Sequence, residues 1–416
     1  MKLVLHKYGG TSMGSVERIL NVAKRVKKWR DGGFKIVVVT SAMSGETNKL
    51  ISLAREFTEN PEKRSLDQVL ASGEQISSGL LAIALNNIGV KAVSFCGWQA
   101  QILTNSTYGK ATITNIIPTI VLDSLRKDEV PVIAGFQGYN ENNNSITTLG
   151  RGGSDTSAVA LASSLKVDEC LIYTDVDGVY TTDPRVEPKA KRLRSITFEE
   201  MLEMSSLGSK ILQIRSVGFA GKYKVKTRVL SSLKDPNLSV ETELEESTLI
   251  THEDEDLMEE AVISGIAFNR DEAKITITGV SDTPGIAHKI LGPIAKANID
   301  VDMIIQNSSK DGTTDFSFTV HRDELKNAEK VLVNEVVSIV GTGDISSDNQ
   351  ICKISIVGIG MRSNAGVASQ MFESLAKEGI NIKMISTSEI KISVVIDDKY
   401  MELAVRTLHK TFGLEQ

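Results

Sequence analysis

Two stretches late in this chain match each other at a constant spacing of 81 residues. Pro284-Gly285-Ile286-Ala287, Ala295-Lys296, Ile299 and Met303-Ile304 return as Ala365-Gly366-Val367-Ala368, Ala376-Lys377, Ile380 and Met384-Ile385. One offset across four separate blocks marks a duplicated module, which must solve the same folding problem twice. Each copy reads strand, turn, helix, strand, strand, helix, a split βαβ unit of about 75 residues. The second copy reaches its last helix at residues 400–411 and has no final strand. The apolar stretch 260–268, just ahead of the first copy, is expected to pair with the second and so interleave the two.

The first 230 residues follow another rule, alternating short apolar runs with helical patterns. Strands are expected at 3–7, 36–40, 92–95, 130–134, 169–173 and 226–230. Helices are expected at 15–30, 46–57, 66–87, 113–125, 155–165 and 209–221. The strands carry Val and Ile in unbroken runs, as parallel strands buried on both faces do. The fold class is therefore α/β, a helix-covered sheet sandwich, followed by two α+β modules. From 234 to 261 the chain turns acidic, densest at Glu253-Asp254-Glu255-Asp256, and reads as a solvated linker. The expected division is 1–232, a linker at 233–261, and modules at 262–342 and 343–416.

Net charge is −6, with no long Lys/Arg block, which argues against nucleic acid or an acidic membrane surface as partner. No apolar run reaches membrane-spanning length, and Met1-Lys2-Leu3-Val4 leads straight into a strand. A cytoplasmic protein is expected. Cys96, Cys170 and Cys352 show no metal spacing and read as buried reduced thiols.

The chemistry concentrates in turns that follow strands. In residues 147–158 three glycines and an arginine empty into an apolar helix. Gly150, Gly152 and Gly153 let the backbone approach a ligand, and the helix near Ser154 and Asp155 turns its free N–H groups toward the loop. Arg151 adds a planar fork for a carboxylate or phosphate, so this is an anion site, although it lacks P-loop spacing. Lys7-Tyr8-Gly9-Gly10 sits at another strand end and can neutralise phosphate, though an ordinary βα turn looks the same. Ser41 and Thr47 can cap a helix or hold a polar ligand. Glu74 stands beside Gly73 within a long helix; the glycine costs about 1 kcal/mol there, tolerable where something must come close. Its carboxylate can pair with an ammonium group or simply face water. After the strand at 169–173, Thr174, Asp175, Tyr180, Asp183 and Arg185 cluster around an Asp177-Gly178 turn, as a nucleotide pocket would arrange them. Lys210 can add a phosphate contact or lie on the surface.

Taken in order, residues 7–12 (KYGGTS), 40–47, 72–76 (SGEQI), 134–138 (AGFQG), 148–156 (TLGRGGSDT), 173–185 (YTDVDGVYTTDPR) and 208–212 (GSKIL) resemble the aspartate kinases of the amino-acid kinase family. The resemblance covers essentially the whole chain, and the repeat resembles a tandem pair of ACT domains. It implies a monofunctional enzyme that moves the γ-phosphoryl of ATP, with Mg2+ bridging the phosphates, to the β-carboxylate of L-aspartate. That would be the first step toward lysine, threonine and methionine. Lys7 would hold the transferring phosphoryl group and Asp155 would orient Lys7. Arg151, Gly152, Gly153 and Ser154 would grip the acceptor's carboxylates, Ser41 and Thr47 would assist, and Glu74 would receive its ammonium. Lys7, Tyr8, Gly9, Gly10, Thr174, Asp175, Tyr180, Asp183, Arg185 and Lys210 would line the nucleotide site. No metal ligand from the protein is assigned.

By the same resemblance, Asp282, Pro284, Gly285, Ile286, Ala287, Asp300 and Gln306 form one effector pocket. Val367, Ala368, Asn381, Ile382, Ser388 and Glu389 form its partner or a second pocket. Lysine, threonine or both would bind and inhibit, and the modules would carry a homodimer or larger assembly. The copies differ where Ser363 stands in place of Asp282. Two other readings share these residues: a kinase of the same fold with another acceptor, and an ATP-binding amino-acid sensor with an inactive kinase half.

Overall fold

The computed structural model describes residues 2–207, 212–252, 262–308, 312–336, 344–364 and 366–415. Two units emerge: Met1–Tyr180, Arg192–Ser206 and Lys210–Met258 form the first, and Thr181–Lys191, Leu207–Ser209 and Glu259–Gln416 the second.

The first unit opens with β1 (Leu3–Tyr8), α1 (Val16–Asp31), β2 (Lys35–Thr40), α2 (Glu46–Arg55) and α3 (Lys63–Asn87). There follow β3 (Ala92–Phe95), β4 (Ile102–Thr104), β5 (Ile113–Ile116), α4 (Thr119–Arg126), β6 (Val130–Ala134), β7 (Gln137–Asn140) and β8 (Ser145–Thr148). After α5 (Gly153–Leu165) and β9 (Glu169–Thr174) come β10 (Ser195–Thr197), α6 (Phe198–Ser206), α7 (Ile214–Lys222), β11 (Thr227–Ser231), α8 (Val240–Glu245) and β12 (Thr248–Thr251).

Eight strands form one sheet in the order β10-β12-β11-β9-β1-β2-β6-β3, parallel except for the β11–β12 pair. Side chains alternate across β1. Val4 and Tyr8 join α1 and α3 in one core with Ile19, Val26, Trp29, Leu81 and Leu85. Lys7 points the other way and meets Asp155 of α5. Helices thus cover both faces, and β1 delivers Lys7 from the middle of the sheet. A second sheet, β5-β4-β7-β8, carries the strand that leads into the glycine-rich turn.

Two expectations need correction here. Residues 113–125 are not one helix: Ile113–Ile116 is a strand and the helix is Thr119–Arg126. Pro118 disfavours helix at the residue before it and is itself at home at a helix start, so the helix begins only there. Nor is the acidic stretch from 233 a solvated linker up to residue 251. Its α8 packs on α1 through Val240, and β12 extends the main sheet beside β11. The reason is Glu243, which is buried and accepts from Arg25 Nε (2.6 Å), Trp29 Nε1 (2.8 Å) and the Tyr173 hydroxyl (3.2 Å). An acidic residue with three buried donors is core, whatever the composition around it. The densest acidic part, 253–256, lies outside the described residues.

The second unit runs β13 (Gly265–Ser281), α9 (Ile286–Lys296), β14 (Val301–Ser308), β15 (Thr313–Val320) and α10 (Leu325–Val331). It continues with β16 (Asp344–Val357), α11 (Val367–Lys377), β17 (Met384–Thr387), β18 (Lys391–Asp397) and α12 (Met401–Thr411). The six strands make one sheet, β14-β15-β13-β16-β18-β17, in which each copy supplies three neighbours. α9 buries Ile286, Ile290 and Ile294, and α11 buries Val367, Met371 and Leu375 at the equivalent positions. Both helices start from a left-handed glycine, Gly285 at φ 90° and Gly366 at φ 100°.

β13 serves both copies. Gly265 through Asn269 pair with Val357 through Lys353 of the second copy, and the same strand runs on through Lys274 to pair with β15 of the first. The described part of the 260–268 stretch therefore lies in the second copy's half of the sheet. Thr181–Lys191 also belongs to this unit. Its Val186 joins the core of the second copy, Ile266 N–H donates to the Thr181 carbonyl at 2.6 Å, and Arg406 donates to the Val186 carbonyl at 2.8 Å.

Candidate active site

Lys7 is buried at the carboxyl end of β1, with its Nζ 2.5 Å from Asp155 Oδ1 in the first turn of α5. A methyl group added at Gly9 would lie 3.5 Å from that Nζ, so the ammonium lies over the β1–α1 turn. One at Gly10 would come within 3.1 Å of the Ala42 carbonyl, which sets the β1–α1 turn against the β2–α2 turn. Ser41 belongs to the latter turn and Thr47 to the first turn of α2, both half-buried.

Glu74 closes the same ring from α3. Its Oε1 accepts the Ala42 N–H at 3.0 Å, while its Oε2 is buried with no hydrogen-bond partner. Burial raises its pKa to about 7. What comes close to Gly73 is the protein itself: a Cβ there would stand 2.9 Å from the Ala42 Cβ. Gly135, from the AGFQG segment, fits between the Thr40 carbonyl and Ser154 with equally little room.

The glycine-rich turn completes the ring. Gly150 (φ 78°) and Gly152 (φ 69°) are left-handed, and Gly152 caps α5. Gly153, Ser154 and Asp155 are buried at the start of α5, with Arg151 exposed just ahead of them. Lys7, Gly9, Gly10, Ser41, Glu74, Ser154 and Asp155 are thereby linked by contacts at the carboxyl ends of β1 and β2. One cation, one helix N-terminus, one exposed arginine and one half-satisfied carboxylate suit a small molecule bearing both anionic and cationic groups.

The nucleotide candidates divide. Tyr8 stacks on Tyr173 with ring centroids 4.8 Å apart, and Gly9 N–H donates to the Tyr173 carbonyl at 3.2 Å, which brings Thr174 beside the β1–α1 turn. Thr174 Oγ1 donates to Asp175, and the Tyr180 hydroxyl donates to Asp177. Asp183 and Arg185 lie on the segment counted with the second unit and pair with each other at 2.7 Å; that guanidinium holds the Asp183 pKa down. Lys210 lies outside the described residues. No group of three His, Cys, Asp or Glu side chains converges as a metal site among the described residues.

Of the second-copy effector candidates, Val367, Ala368, Ser388 and Glu389 line one cleft of about 580 Å3, with Arg362 and Asn364 beside them. Asn381 and Ile382 precede β17 and do not line it. In the first copy Asp282, Pro284, Gly285, Asp300 and Gln306 are exposed around the start of α9 and on β14, whereas Ile286 is core. Cys170 and Cys352 are buried thiols, and burial pushes Cys352 up to about 12; Cys96 is only half-buried.

Several residues that sequence reasoning gave no role support this site. Gln137, fully buried, donates to the Ala71 carbonyl at 2.9 Å and so steadies α3 next to Gly73. Asp67, also buried, accepts from the Gly109 and Thr148 N–H groups and from the Thr148 hydroxyl. Gln137 falls within the AGFQG segment, whereas Asp67 shares its buried helix face with Glu74, Ser77 and Ser78 and carries no local mark of its partners.

Residues 2–231 match the amino acid kinase family, and residues 274–335 and 354–412 each match an ACT domain. An aspartate kinase of Pseudomonas putida is 60% identical over all of this chain and 98% of its own length. The fold resembles Escherichia coli aspartokinase III solved with aspartate and ADP in an R-state (24% identity, TM-score 0.78, 99% of both chains). It also resembles that enzyme with lysine and aspartate in a T-state (25% identity, TM-score 0.76, 99% of this chain and 100% of the other). Fold and site thus define a kinase of amino-acid carboxylates joined to a pair of ACT modules. The chain belongs to the amino acid kinase family and, within it, to the aspartate kinases.

Proposed function

We propose that this aspartate kinase transfers the γ-phosphoryl group of ATP to the β-carboxylate of L-aspartate, giving 4-phospho-L-aspartate, and that lysine, threonine or both restrain it through the repeated modules. The observation that carries the reading is the buried Lys7–Asp155 pair at 2.5 Å, set beneath the glycine-rich turn. Phosphoryl transfer asks for positioning and charge neutralisation more than for covalent help. Asp155 aims Lys7 at the oxygens over which charge spreads in the transition state. Arg151, Gly152, Gly153 and Ser154 hold the acceptor's carboxylates, helped by Ser41 and Thr47. The unpartnered Oε2 of Glu74 takes its ammonium. The acceptor carboxylate is already ionised near neutral pH, so no general base is required.

Gly9, Gly10, Thr174, Asp175 and Tyr180 line the nucleotide site, while Tyr8 backs it from the core. Mg2+ bound with the nucleotide would supply further charge neutralisation. The first unit acts as the catalytic part, and the repeated modules of the second hold effectors, with the cleft at Val367 and Glu389 as one pocket. The lysine-bound Escherichia coli neighbour supports an amino acid in that role. Assembly into a homodimer or larger form through the modules is supported by the edge strands β14 and β17, which expose Ile304 and Ile385. The enzyme would work in the cytoplasm at the head of the lysine, threonine and methionine branch.

The test is ATP turnover with L-aspartate, trapping the acyl phosphate as a hydroxamate, with and without lysine and threonine. Aspartate-dependent hydroxamate suppressed by either amino acid is the expected result. ATP binding without hydroxamate would reject the catalytic half of the reading.

A further inference from the structure

The geometry points to Arg215 as a positioning residue of the acceptor site, the anchor that sets the entrance of the glycine-rich turn and so the reach of Arg151. The inference rests on reading that turn as the grip on aspartate.

Every backbone polar group leading into the turn is accounted for. Thr148 N–H and hydroxyl donate to Asp67 at 2.7 Å each. The Thr148 carbonyl accepts Ala111 N–H at 2.9 Å, and Leu149 N–H donates to the Phe136 carbonyl at 2.9 Å. The last group before Gly150 is the Leu149 carbonyl, which accepts from Arg215 Nη1 at 2.8 Å. Arg215 Nη2 reaches the Ala111 carbonyl, also at 2.8 Å. One guanidinium fork therefore ties β8 to the segment beside Gly109, the same segment that Asp67 holds by its N–H at 3.0 Å. Beyond Leu149 the chain passes through two left-handed glycines whose intrinsic freedom is large, so the anchor before them decides where Arg151 points.

A second contact from the same element agrees. The Gln213 side chain, just before α7, lies so close over Gly152 that a Cβ there would fall 1.9 Å from its Cγ. The start of α7 thus clamps the turn at both its entrance and its exit. Arg215 is exposed at the start of α7, with its guanidinium tucked against the two carbonyls. A lysine cannot reproduce the fork, because one ammonium is a point donor and cannot bridge two carbonyls in fixed geometry.

The experiment measures kcat and both KM values for Arg215→Lys and Arg215→Gln, with thermal melting of each, alongside Arg151→Gln. The expected result is that kcat/KM for aspartate falls about tenfold or more in both Arg215 variants while KM for ATP and the melting midpoint stay near wild type. Unchanged aspartate kinetics in both, with Arg151→Gln impaired, would overturn the inference and leave the acceptor reading standing. Equal losses toward both substrates together with a lowered melting point would reduce Arg215 to a fold-stabilising residue and overturn it as well. An Arg151→Gln enzyme with normal aspartate kinetics would remove the acceptor reading, and this inference with it.

Discussion

Glu74 and Lys7 are buried side chains on which the proposed reading rests. The Glu74 carboxyl, raised to about 7 by desolvation, is half neutral at physiological pH in the free protein. Below that pH it cannot attract an ammonium group, so KM for aspartate should fall as pH rises through about 7, and Glu74→Gln should show a higher KM with a flattened profile. The stability sign follows. A carboxyl whose folded pKa exceeds its ordinary value favours the folded state below about pH 4.5, and that contribution is lost as pH rises through about 7. Bound aspartate should restore it, so melting scans should show the ligand's stabilisation growing between pH 6 and 8. For Lys7, replacing the single buried cation at the strand end by methionine should lower kcat by roughly 10²–10³, the scale for losing one transition-state donor. Steady-state kinetics with a check of ATP binding would separate this from loss of nucleotide affinity.

At the scale of elements, two helices meet loops where the local sequence alone would have argued otherwise. Glycine in the middle of α3 should cost about 1 kcal/mol relative to alanine. Yet a Cβ at Gly73 would stand 2.9 Å from the Ala42 Cβ, and forcing extra volume into a packed contact costs about 1–3 kcal/mol. The second effect wins, so Gly73→Ala should destabilise in a denaturant titration and raise KM for aspartate by displacing the Ala42 turn from Glu74. The α1–α8 contact rests on a different balance. Arg25 and Glu243 are both buried, and Lys28 Nζ adds a third charge 3.0 Å from Glu243. Removing one partner of such a group leaves a buried charge uncompensated, at about 3–5 kcal/mol. Glu243→Ala should therefore lower the melting midpoint by on the order of 10 °C, with the Tyr8–Tyr173 stack loosened beneath the Gly9 turn.

On the scale of the whole molecule, the segment Thr181–Lys191 leaves the first unit, packs into the second, and returns, with Tyr180 bridged to Arg192 where it departs. A chain truncated before the second unit should lose the burial of Val186 and the Thr181–His409 hydrogen bond of 2.9 Å. It should bind more of a hydrophobic dye and melt lower than the intact protein. Effector sensitivity is better tested in the full chain. Glu389→Ala in the second-copy cleft should raise the lysine or threonine concentration for half-inhibition, within the roughly 5–150-fold that a 1–3 kcal/mol coupling allows.

What the sequence determined by itself was whatever repeats or alternates along the chain. The 81-residue offset, the unbroken apolar runs of β1, β2 and β9, and the left-handed glycines before α9 and α11 each express a local backbone or burial rule, and all are legible one segment at a time. Lys7, Glu74 and Asp155 stand out as candidates in the same way, because each lies in a turn or helix with a chemistry-bearing neighbour. What only the tertiary structure decided depends on residues far apart meeting: Glu243 with Arg25, 218 positions away, Arg215 with Leu149 and Ala111, and Thr181–Lys191 with α12. An acidic composition or a lone arginine carries no mark of the partner that will bury or bridge it. That partner is set by how the layers pack, and the energy of a buried charge lies almost wholly in that pairing.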